Sequence, residues 1–197
     1  EELRNLKPLN AYGCSKNQFD IWVAEQVHAR AGTPPQWVGL KFFNVYGPNE
    51  YHKGQQMSVV AQVYTQISKT GRARLFKSHH PDFEDGGQLR DFIWVGDCIN
   101  VMRWFDENPK VSGLFNCGTG QARSFLDLTA VVFDAMGKKS SIDYIPTPKH
   151  IRDKYQYFTE ANMEKLRSVG YFNEFTSLED GVKRYVTEYL MSEDGYV

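Results

Sequence analysis

Tyr12 and Lys16 are the first two residues in this sequence whose types and spacing could do chemistry. They stand four positions apart in a segment with helical periodicity, so their side chains share one face of the predicted helix. A lysine ammonium group that close to a phenol stabilises the tyrosinate, which would let Tyr12 take up and release a proton. A surface pair without function has the same spacing, and so short a pattern recurs by chance. The spacing alone leaves both interpretations open.

A helix and the strand after it must position this pair. Asn10 is the predicted N-cap of a helix over residues 11–31, whose apolar residues recur at helical spacing. Glycine and two prolines follow that helix, and the mostly apolar run 37–43 is typical of a buried parallel strand. A helix followed by such a strand is half of a βαβ unit.

Strands and helices continue to alternate along the chain, which predicts an α/β fold. Asp97 is the predicted N-cap of one helix, and Ser124 with Asp127 resembles a capping box that opens another. The predicted helices after the first cover residues 57–68, 98–105, 125–136, 159–168 and 177–191. The predicted strands after the first cover residues 74–76, 90–95, 113–117 and 141–145.

The composition excludes several classes of protein. The 197 residues include 23 Lys and Arg against 24 Asp and Glu, a formal net charge of −1. This balance excludes the basic surface of a dedicated nucleic-acid binder and argues against steering to a membrane surface. With 41% hydrophobic and 24% charged residues, the sequence is typical of a folded globular protein.

Three cysteines, Cys14, Cys98 and Cys117, are too few and too scattered for a disulfide scaffold. The sequence has no apolar run of the ~18 residues that a transmembrane helix needs, and its first residues do not resemble a signal peptide. We therefore expect a cytoplasmic protein. The chain starts without Met, and we also expect it to be a segment of a longer one.

Four motifs in order resemble the extended short-chain dehydrogenase/reductase family of nucleotide-sugar enzymes, the NAD-dependent epimerases and dehydratases. They are Pro8-Leu9-Asn10 before the Tyr-x-x-x-Lys pattern, FNVYGP at 43–48, GQLRDFIWVGD at 87–97 and FNCGTG at 115–120. The resemblance implies that Tyr12 is a catalytic acid/base group, that Lys16 holds the nicotinamide ribose and that Val45 lies against the cofactor.

The same resemblance implies the C-terminal part of a Rossmann-like doubly wound sheet plus a smaller α/β substrate-binding domain. Residues 1–47 would be the last elements of the dinucleotide-binding domain. Residues 48–197 would belong mostly to the substrate-binding domain, with the segment near 91–118 returning toward the Rossmann sheet.

Within this family, the sequence resembles the ADP-heptose 6-epimerases over nearly its whole length. The residues that carry this resemblance are NEYHKG at 49–54, MSVV at 57–60 and DKYQYFT at 153–159. The resemblance implies NADP-dependent epimerisation of ADP-D-glycero-D-manno-heptose at C6 for lipopolysaccharide core biosynthesis. It implies that Lys53, next to the cofactor, is a second acid/base group.

The chemistry explains why two such groups are needed. A carbon without an acidic proton can be inverted by removing hydride to an oxidised nicotinamide, forming a ketone, and returning the hydride to the other face. Tyr12 and Lys53, one on each side of the carbon, would move the hydroxyl proton in both half-reactions. A lysine that acts as a base at neutral pH needs desolvation or a neighbouring cation.

Three alternatives stay open. Lys53 could be an ordinary solvated loop lysine without a catalytic role. The chain could instead belong to another nucleotide-sugar epimerase or dehydratase, acting on a UDP- or dTDP-sugar, which needs no base in the His52-Lys53-Gly54 loop. It could also be a non-catalytic sugar-nucleotide-binding fragment.

Nine residues would line the substrate pocket by the same resemblance. Arg90 suits a diphosphate because its guanidinium forms forked, charge-assisted hydrogen bonds, although it could instead be a strand-edge residue paired with Asp91 or Asp97. The nine are Asn44 and Gln55 near the heptose, Phe76, Lys77, Ser78 and His79 near the ADP, Arg90 on the diphosphate, and Gln62 and Tyr155 elsewhere on the substrate.

Two kinds of site are not predicted. His79 and His80, with Asp82 and Glu84 nearby, do not have metal-ligand spacing, so we predict no metal site. The sequence also lacks the glycine-rich turn that holds a dinucleotide pyrophosphate at a helix N-terminus. We therefore expect a segment without most of the cofactor site and without tight NADP binding of its own. NADP rather than NAD, and a homo-oligomeric state, are implied by the resemblance alone.

Overall fold

The computed structural model describes residues 3–29, 32–152 and 155–196. The helices are α1 (Ala11–His28), α2 (Val59–Thr70), α3 (Val95–Glu107), α4 (Phe125–Ala135), α5 (Lys149–Arg152), α6 (Glu164–Ser168) and α7 (Leu178–Arg184). The strands are β1 (Val38–Phe42), β2 (Asn44–Tyr46), β3 (Ala73–Phe76), β4 (Leu89–Trp94), β5 (Gly113–Cys117), β6 (Ala122–Ser124), β7 (Ile142–Ile145) and β8 (Phe158–Thr159). A 3₁₀ turn covers Tyr51–Gln56, and a π-helix, Tyr185–Leu190, continues α7.

Most strand pairs are parallel, which confirms the α/β fold class. β1 pairs with β5, β2 with β4, and β3 with β7, all in parallel. β4 also pairs with β8 in parallel and with β6 antiparallel. Only Phe43 separates β1 from β2, so this stretch of chain passes from one partner strand to the other.

Two clusters of buried side chains hold these elements together. The first packs α2, α4 and α7 against β4, and the second packs α3 and α6 against β5. Removing one such Val, Leu or Phe side chain from water contributes about 1.5–3 kcal/mol. Fully buried members include Val60, Ile67, Leu128 and Val182 in the first cluster and Val101 in the second.

The predicted caps of two helices are confirmed. The side chain of Asn10 accepts a hydrogen bond from the backbone N–H of Gly13 at 2.8 Å and starts α1. Ser124 and Asp127 form both bonds of a capping box at the start of α4. The first helix, predicted over residues 11–31, ends at His28 with Ala29 as its C-cap, and residues 30 and 31 lie outside the described residues.

Two predicted helix starts are wrong, each because a distant partner decides the local structure. Helix α3 begins at Val95, so Asp97 lies in its first turn, where its buried carboxylate accepts hydrogen bonds from the N–H (2.8 Å) and hydroxyl (3.0 Å) of Thr176. The helix predicted from residue 159 begins at Glu164, because Phe158 and Thr159 pair with β4 instead.

Cys14 is exposed, Cys98 and Cys117 are buried, and all three are free thiols. Among the helices of the described residues, none has both the length and the apolar character that crossing a bilayer requires.

Candidate active site

The N-terminal end of α1 forms one wall of a cleft of about 660 Å³. Asn10, Tyr12 and Gly13 line the cleft there, and Arg90 and Tyr155 line it as well. The N-cap at Asn10 fixes where α1 begins, and β4 carries Arg90 to the same cleft. The structure therefore brings three of the predicted site residues, Tyr12, Arg90 and Tyr155, to one cleft.

Tyr12 and Lys16 lie together on the exposed side of α1. The Lys16 Nζ atom lies 5.3 Å from the centre of the Tyr12 ring, as expected for residues one helical turn apart. Tyr12 is 72% exposed, so its phenol is open to whatever enters the cleft. The structure therefore shows an exposed phenol with a cation over its ring, at the edge of the cleft.

Arg90 is a half-buried cation held between two aromatic rings. The carbon of its guanidinium lies 5.7 Å from the centre of the Phe125 ring and 5.5 Å from that of Tyr155. The guanidinium donates hydrogen bonds to the backbone carbonyls of Leu89 and Gln156. Burial lowers the pKa of Arg90, but an arginine keeps its charge even so. A desolvated cation facing a cleft attracts an anion strongly.

The alternative in which Arg90 pairs with Asp91 or Asp97 is wrong. The buried Asp91 carboxylate accepts hydrogen bonds from the backbone N–H groups of Thr119, Gly120 and Ala161 and from the Thr119 hydroxyl. Asp97 is bound to Thr176, as described above. Within residues 3–29, 32–152 and 155–196, no carboxylate forms an ion pair with Arg90.

A second cavity, of about 270 Å³, adjoins the cleft, because Tyr155 lines both. Its lining includes the predicted residues Gln62 and Phe76, and Phe125 and Gln88 as well. The Phe76 and Tyr155 rings meet edge to face with their centres 6.2 Å apart. Burial raises the pKa of Tyr155, and the charge of Arg90 opposes this shift. A pocket with aromatic walls beside a cationic cleft suits a flat ring that carries a charged group.

The predicted residues of the loop after β3 are fixed mainly through their backbone. The N–H of Lys77 donates to the Ile145 carbonyl at 2.8 Å, and that of Ser78 donates to Asp85 Oδ1 at 2.7 Å. The N–H of His79 donates to the hydroxyl of a tyrosine, Tyr157, at 2.9 Å. The side chains of Lys77 and His79 are exposed and free to meet a ligand.

The neighbouring His80 packs its ring against Phe83 and Tyr157. Among the described residues, no three His, Cys, Asp or Glu side chains lie close enough together to hold a metal ion.

The remaining predicted residues lie on β2 and on the turn after it. Asn44 and Val45 are in β2, which pairs with β4, and Asn44 is exposed. Lys53 and Gln55 are exposed residues of the 3₁₀ turn Tyr51–Gln56, and the Gln55 carbonyl accepts a hydrogen bond from the Gln62 amide at 3.2 Å. Neither Lys53 nor Gln55 is among the residues that line the cleft of Tyr12.

Sequence reasoning missed Phe125, Gln88 and Gln156. Phe125 reaches Arg90 because β6 pairs with β4 in a register that places Ser124 opposite Leu89. Gln156 holds Arg90 through its backbone carbonyl, so its side-chain type gives no signal. The capping box at Ser124 could have located the start of α4, but it carries no information about the partner strand.

Comparison with known proteins identifies the family. The model of the NAD dependent epimerase/dehydratase family matches residues 1–118. This chain belongs to that family. The matched segment contains Tyr12, Lys16, Lys53 and Arg90.

Individual relatives are similar over nearly all of the chain. An ADP-L-glycero-D-manno-heptose-6-epimerase of Nitratidesulfovibrio vulgaris is 53% identical over 192 residues, which are 98% of this chain and 58% of the relative. One of Fusobacterium nucleatum is 47% identical over 203 residues, 100% of this chain and 60% of the relative. The crystal structure of the Helicobacter pylori ADP-L-glycero-D-manno-heptose-6-epimerase matches with a TM-score of 0.74 and 29% identity, over 94% of this chain and 52% of that one. The chain thus spans about three-fifths of the length of the curated relatives.

Proposed function

We propose that this chain forms the sugar-binding side of the active site of an NADP-dependent ADP-heptose 6-epimerase. The enzyme converts ADP-D-glycero-D-manno-heptose to ADP-L-glycero-D-manno-heptose in the cytoplasm, for the lipopolysaccharide core. The observation that carries the proposal is the cleft that Tyr12 lines together with Arg90 and Tyr155, with Lys16 against the Tyr12 ring. The printed names of the relatives support the choice of nucleotide sugar.

The charge and shape of the two cavities suggest how the substrate lies. Arg90 would bind the diphosphate, because its guanidinium is desolvated and has no carboxylate partner among the described residues. The adjoining cavity with Phe76 and Gln62 would take the adenine, and Lys77, Ser78 and His79, which follow Phe76 in the sequence, would contact the ADP. Asn44 and Gln55 would contact the heptose, with Tyr155 between the sugar and the nucleotide.

The residues beside Tyr12 fit the nicotinamide ribose end of a dinucleotide. The Lys16 ammonium is exposed and can donate hydrogen bonds to ribose hydroxyls, while the Tyr12 phenol can both donate and accept. Val45 offers an apolar contact on β2. When bound, the oxidised nicotinamide would supply the hydride acceptor for the sugar carbon and would return the hydride to its opposite face.

The chain itself would supply the proton transfers. Tyr12, as the tyrosinate that Lys16 stabilises, would take the hydroxyl proton when the sugar is oxidised. Lys53, as an ammonium group on the other side of the carbon, would give a proton to the ketone oxygen when the hydride returns, and the two groups would exchange these tasks in the reverse reaction. This requires the Lys53 turn and the Tyr12 cleft to face the same sugar carbon when substrate is bound.

We also propose the division of the chain given by the family resemblance. Residues 1–47 and the returning segment 91–118 would belong to the dinucleotide-binding domain, and the rest of 48–197 mostly to the substrate-binding domain. The parallel pairing of β1 with β5 and of β2 with β4 supports this division. A homo-oligomeric state is part of the proposal, and light scattering on the complete protein measures it.

The proposed function is tested by following the product by NMR. The complete protein, supplied with ADP-D-glycero-D-manno-heptose and NADP, should form the L-glycero epimer. Tyr12→Phe and Lys53→Met should each lower turnover by about 100-fold or more. Lys69→Met, an exposed lysine in the last turn of α2, is the matched control and should leave turnover within about twofold.

Full turnover in both site variants would reject the roles of Tyr12 and Lys53. Turnover of a UDP- or dTDP-sugar without turnover of ADP-heptose would instead favour another nucleotide-sugar enzyme of the family.

A further inference from the structure

The chain around Lys53 has two residues whose backbone is in the left-handed region. Asn49, just before it, has φ of 67°, and Gly54, next to Lys53, has φ of 55°. Glycine takes this region without a steric cost, and asparagine enters it more readily than other residues with a Cβ, so neither residue prevents the turn from changing its path. The contacts on either side of Lys53 therefore decide where its ammonium points.

Glu50 supplies the firmest of these contacts. Its carboxylate is 5% exposed and accepts hydrogen bonds from the N–H and the hydroxyl of Ser58, both at 2.6 Å, and from the Tyr185 hydroxyl at 2.9 Å. A buried carboxylate is costly unless hydrogen bonds compensate it, and here they join the start of the turn to the N-cap of α2. The backbone N–H of Lys53 itself donates to the Glu50 carbonyl at 3.0 Å.

The C-terminal residues hold the same turn from the other side. The Tyr51 hydroxyl donates a hydrogen bond to the Gly195 carbonyl at 2.7 Å, and its ring meets that of Tyr196 edge to face at 5.1 Å. A Cβ on Gly195 would lie 2.9 Å from the Tyr51 hydroxyl oxygen, so the backbone at Gly195 lies closer to Tyr51 than a larger residue would allow. Two residues next to each other, Glu50 and Tyr51, thus tie the turn to parts of the chain far from it in sequence.

We propose that Glu50, supported by the bond from Tyr51 to Gly195, is a positioning residue that holds Lys53 where the proposed reaction needs it. The inference rests on the proposed function, because it assigns a purpose to the placement of Lys53. Glu50 does not contact substrate in this scheme. It acts through the backbone of the turn, because its carboxylate joins the start of the turn to Ser58, just after the turn, and to Tyr185 in the π-helix.

Limited digestion with trypsin tests the placement without relying on activity. Cleavage after Lys53 requires the turn to open, so its rate measures how firmly the turn is held. Glu50→Gln keeps the size of the side chain but has one acceptor oxygen and no charge, so it cannot accept the Ser58 N–H and both hydroxyl hydrogens as the carboxylate does. We expect this variant to be cleaved after Lys53 about tenfold faster, and Tyr51→Phe, which loses only the hydroxyl, about threefold faster.

Asp97→Asn is the matched control for this digestion. Asp97 is also a buried carboxylate that accepts the N–H and the hydroxyl of one residue, Thr176, but it lies elsewhere in the fold. Its variant should leave cleavage after Lys53 within about twofold of the unaltered protein. Equal cleavage in Glu50→Gln and the unaltered protein, or an equal increase in Asp97→Asn, would overturn the proposal.

Kinetics of the complete enzyme separate positioning from general stability. Glu50→Gln should lower kcat about tenfold with KM within about twofold, while Asp97→Asn keeps kcat. Tyr51→Phe gives the same comparison with a smaller change if Glu50→Gln does not fold. Loss of turnover in Lys53→Met with full kcat in both Glu50→Gln and Tyr51→Phe would overturn the positioning role. Full turnover in Lys53→Met would instead reject the proposed function of Lys53, and the digestion would still report on the turn.

Discussion

The guanidinium carbon of Arg90 lies 5.5 Å from the centre of the Tyr155 ring, at the boundary between the cleft and the second cavity. Phe125 lies near the same guanidinium, at 5.7 Å. Because the guanidinium of Arg90 donates hydrogen bonds to the carbonyls of Leu89 and Gln156, its positive charge is held in place before any ligand binds. Preorganisation of this kind lowers the entropy lost on binding.

Arg90→Lys should weaken ADP binding by about tenfold or more. Lysine keeps the positive charge, but it can neither form forked hydrogen bonds with a diphosphate nor stack between two rings. Isothermal titration of the complete protein with ADP measures the change. Arg184→Lys is a matched control, because Arg184 also stacks on an aromatic ring, 5.7 Å from Trp94, and it does not line the cleft. Unchanged ADP affinity in Arg90→Lys would contradict the assignment.

Gly181 leaves room for the hydroxyl of Tyr46. A Cβ at position 181 would lie 2.1 Å from that oxygen, although the residue lies inside α7, where alanine is otherwise the better helix former. Gly181→Ala should therefore destabilise the fold by about 2 kcal/mol. The Tyr46 hydroxyl is buried and has no hydrogen-bond partner in the part of the chain that the structure describes. Denaturant unfolding of the Gly181→Ala variant measures the predicted loss of stability.

Tyr46→Phe should stabilise the fold by about 1 kcal/mol, since it removes a buried hydroxyl that is not hydrogen bonded. In the double variant, the cost of Gly181→Ala should shrink, because the nearest clashing atom is gone. Tyr185→Phe is the control with the opposite sign, because its hydroxyl donates to Glu50 and its loss should destabilise. If the stability changes of Gly181→Ala and Tyr46→Phe simply add in the double variant, the proposed clash between the two positions is contradicted.

Patterns local in sequence predicted the elements that local physics determines. The N-cap at Asn10, the capping box at Ser124 and the Tyr12–Lys16 pair each depend on residues within one helical turn, and all three are present. The strand run after the first helix was predicted from its apolar residues. That run, 37–43, contains β1, whereas β2 lies beyond it and was not predicted, because only the pairing with β4 distinguishes β2 from the loop that follows.

The parts that failed depend on contacts distant in sequence. Asp97 resembles an N-cap by position, but the partner of its carboxylate is Thr176, which no local pattern connects to it. The neighbours of Arg90 likewise come from three separate segments, so its place beside Phe125 follows only from strand register. The motifs were enough to name site residues, but the fold was needed to show which of them share a cleft.

The ion pair of Arg123 with Glu179 makes stability depend on pH in a defined direction. Arg123 donates to both carboxylate oxygens of Glu179, at 2.7 and 3.3 Å, and lowers the pKa of Glu179 below its ordinary value of 4.5. A carboxyl group whose pKa is lowered by folding adds stability above that ordinary value and loses it as the pH falls through the lowered one.

At pH 7, the Glu179→Gln variant should therefore be less stable than the unaltered protein by up to about 1 kcal/mol, since the pair is largely exposed. The difference should shrink below pH 4.5. Urea unfolding at several pH values measures it, and in an Arg123→Gln background the same substitution should show little pH dependence. A difference that widens in acid would contradict the sign derived from the ion pair.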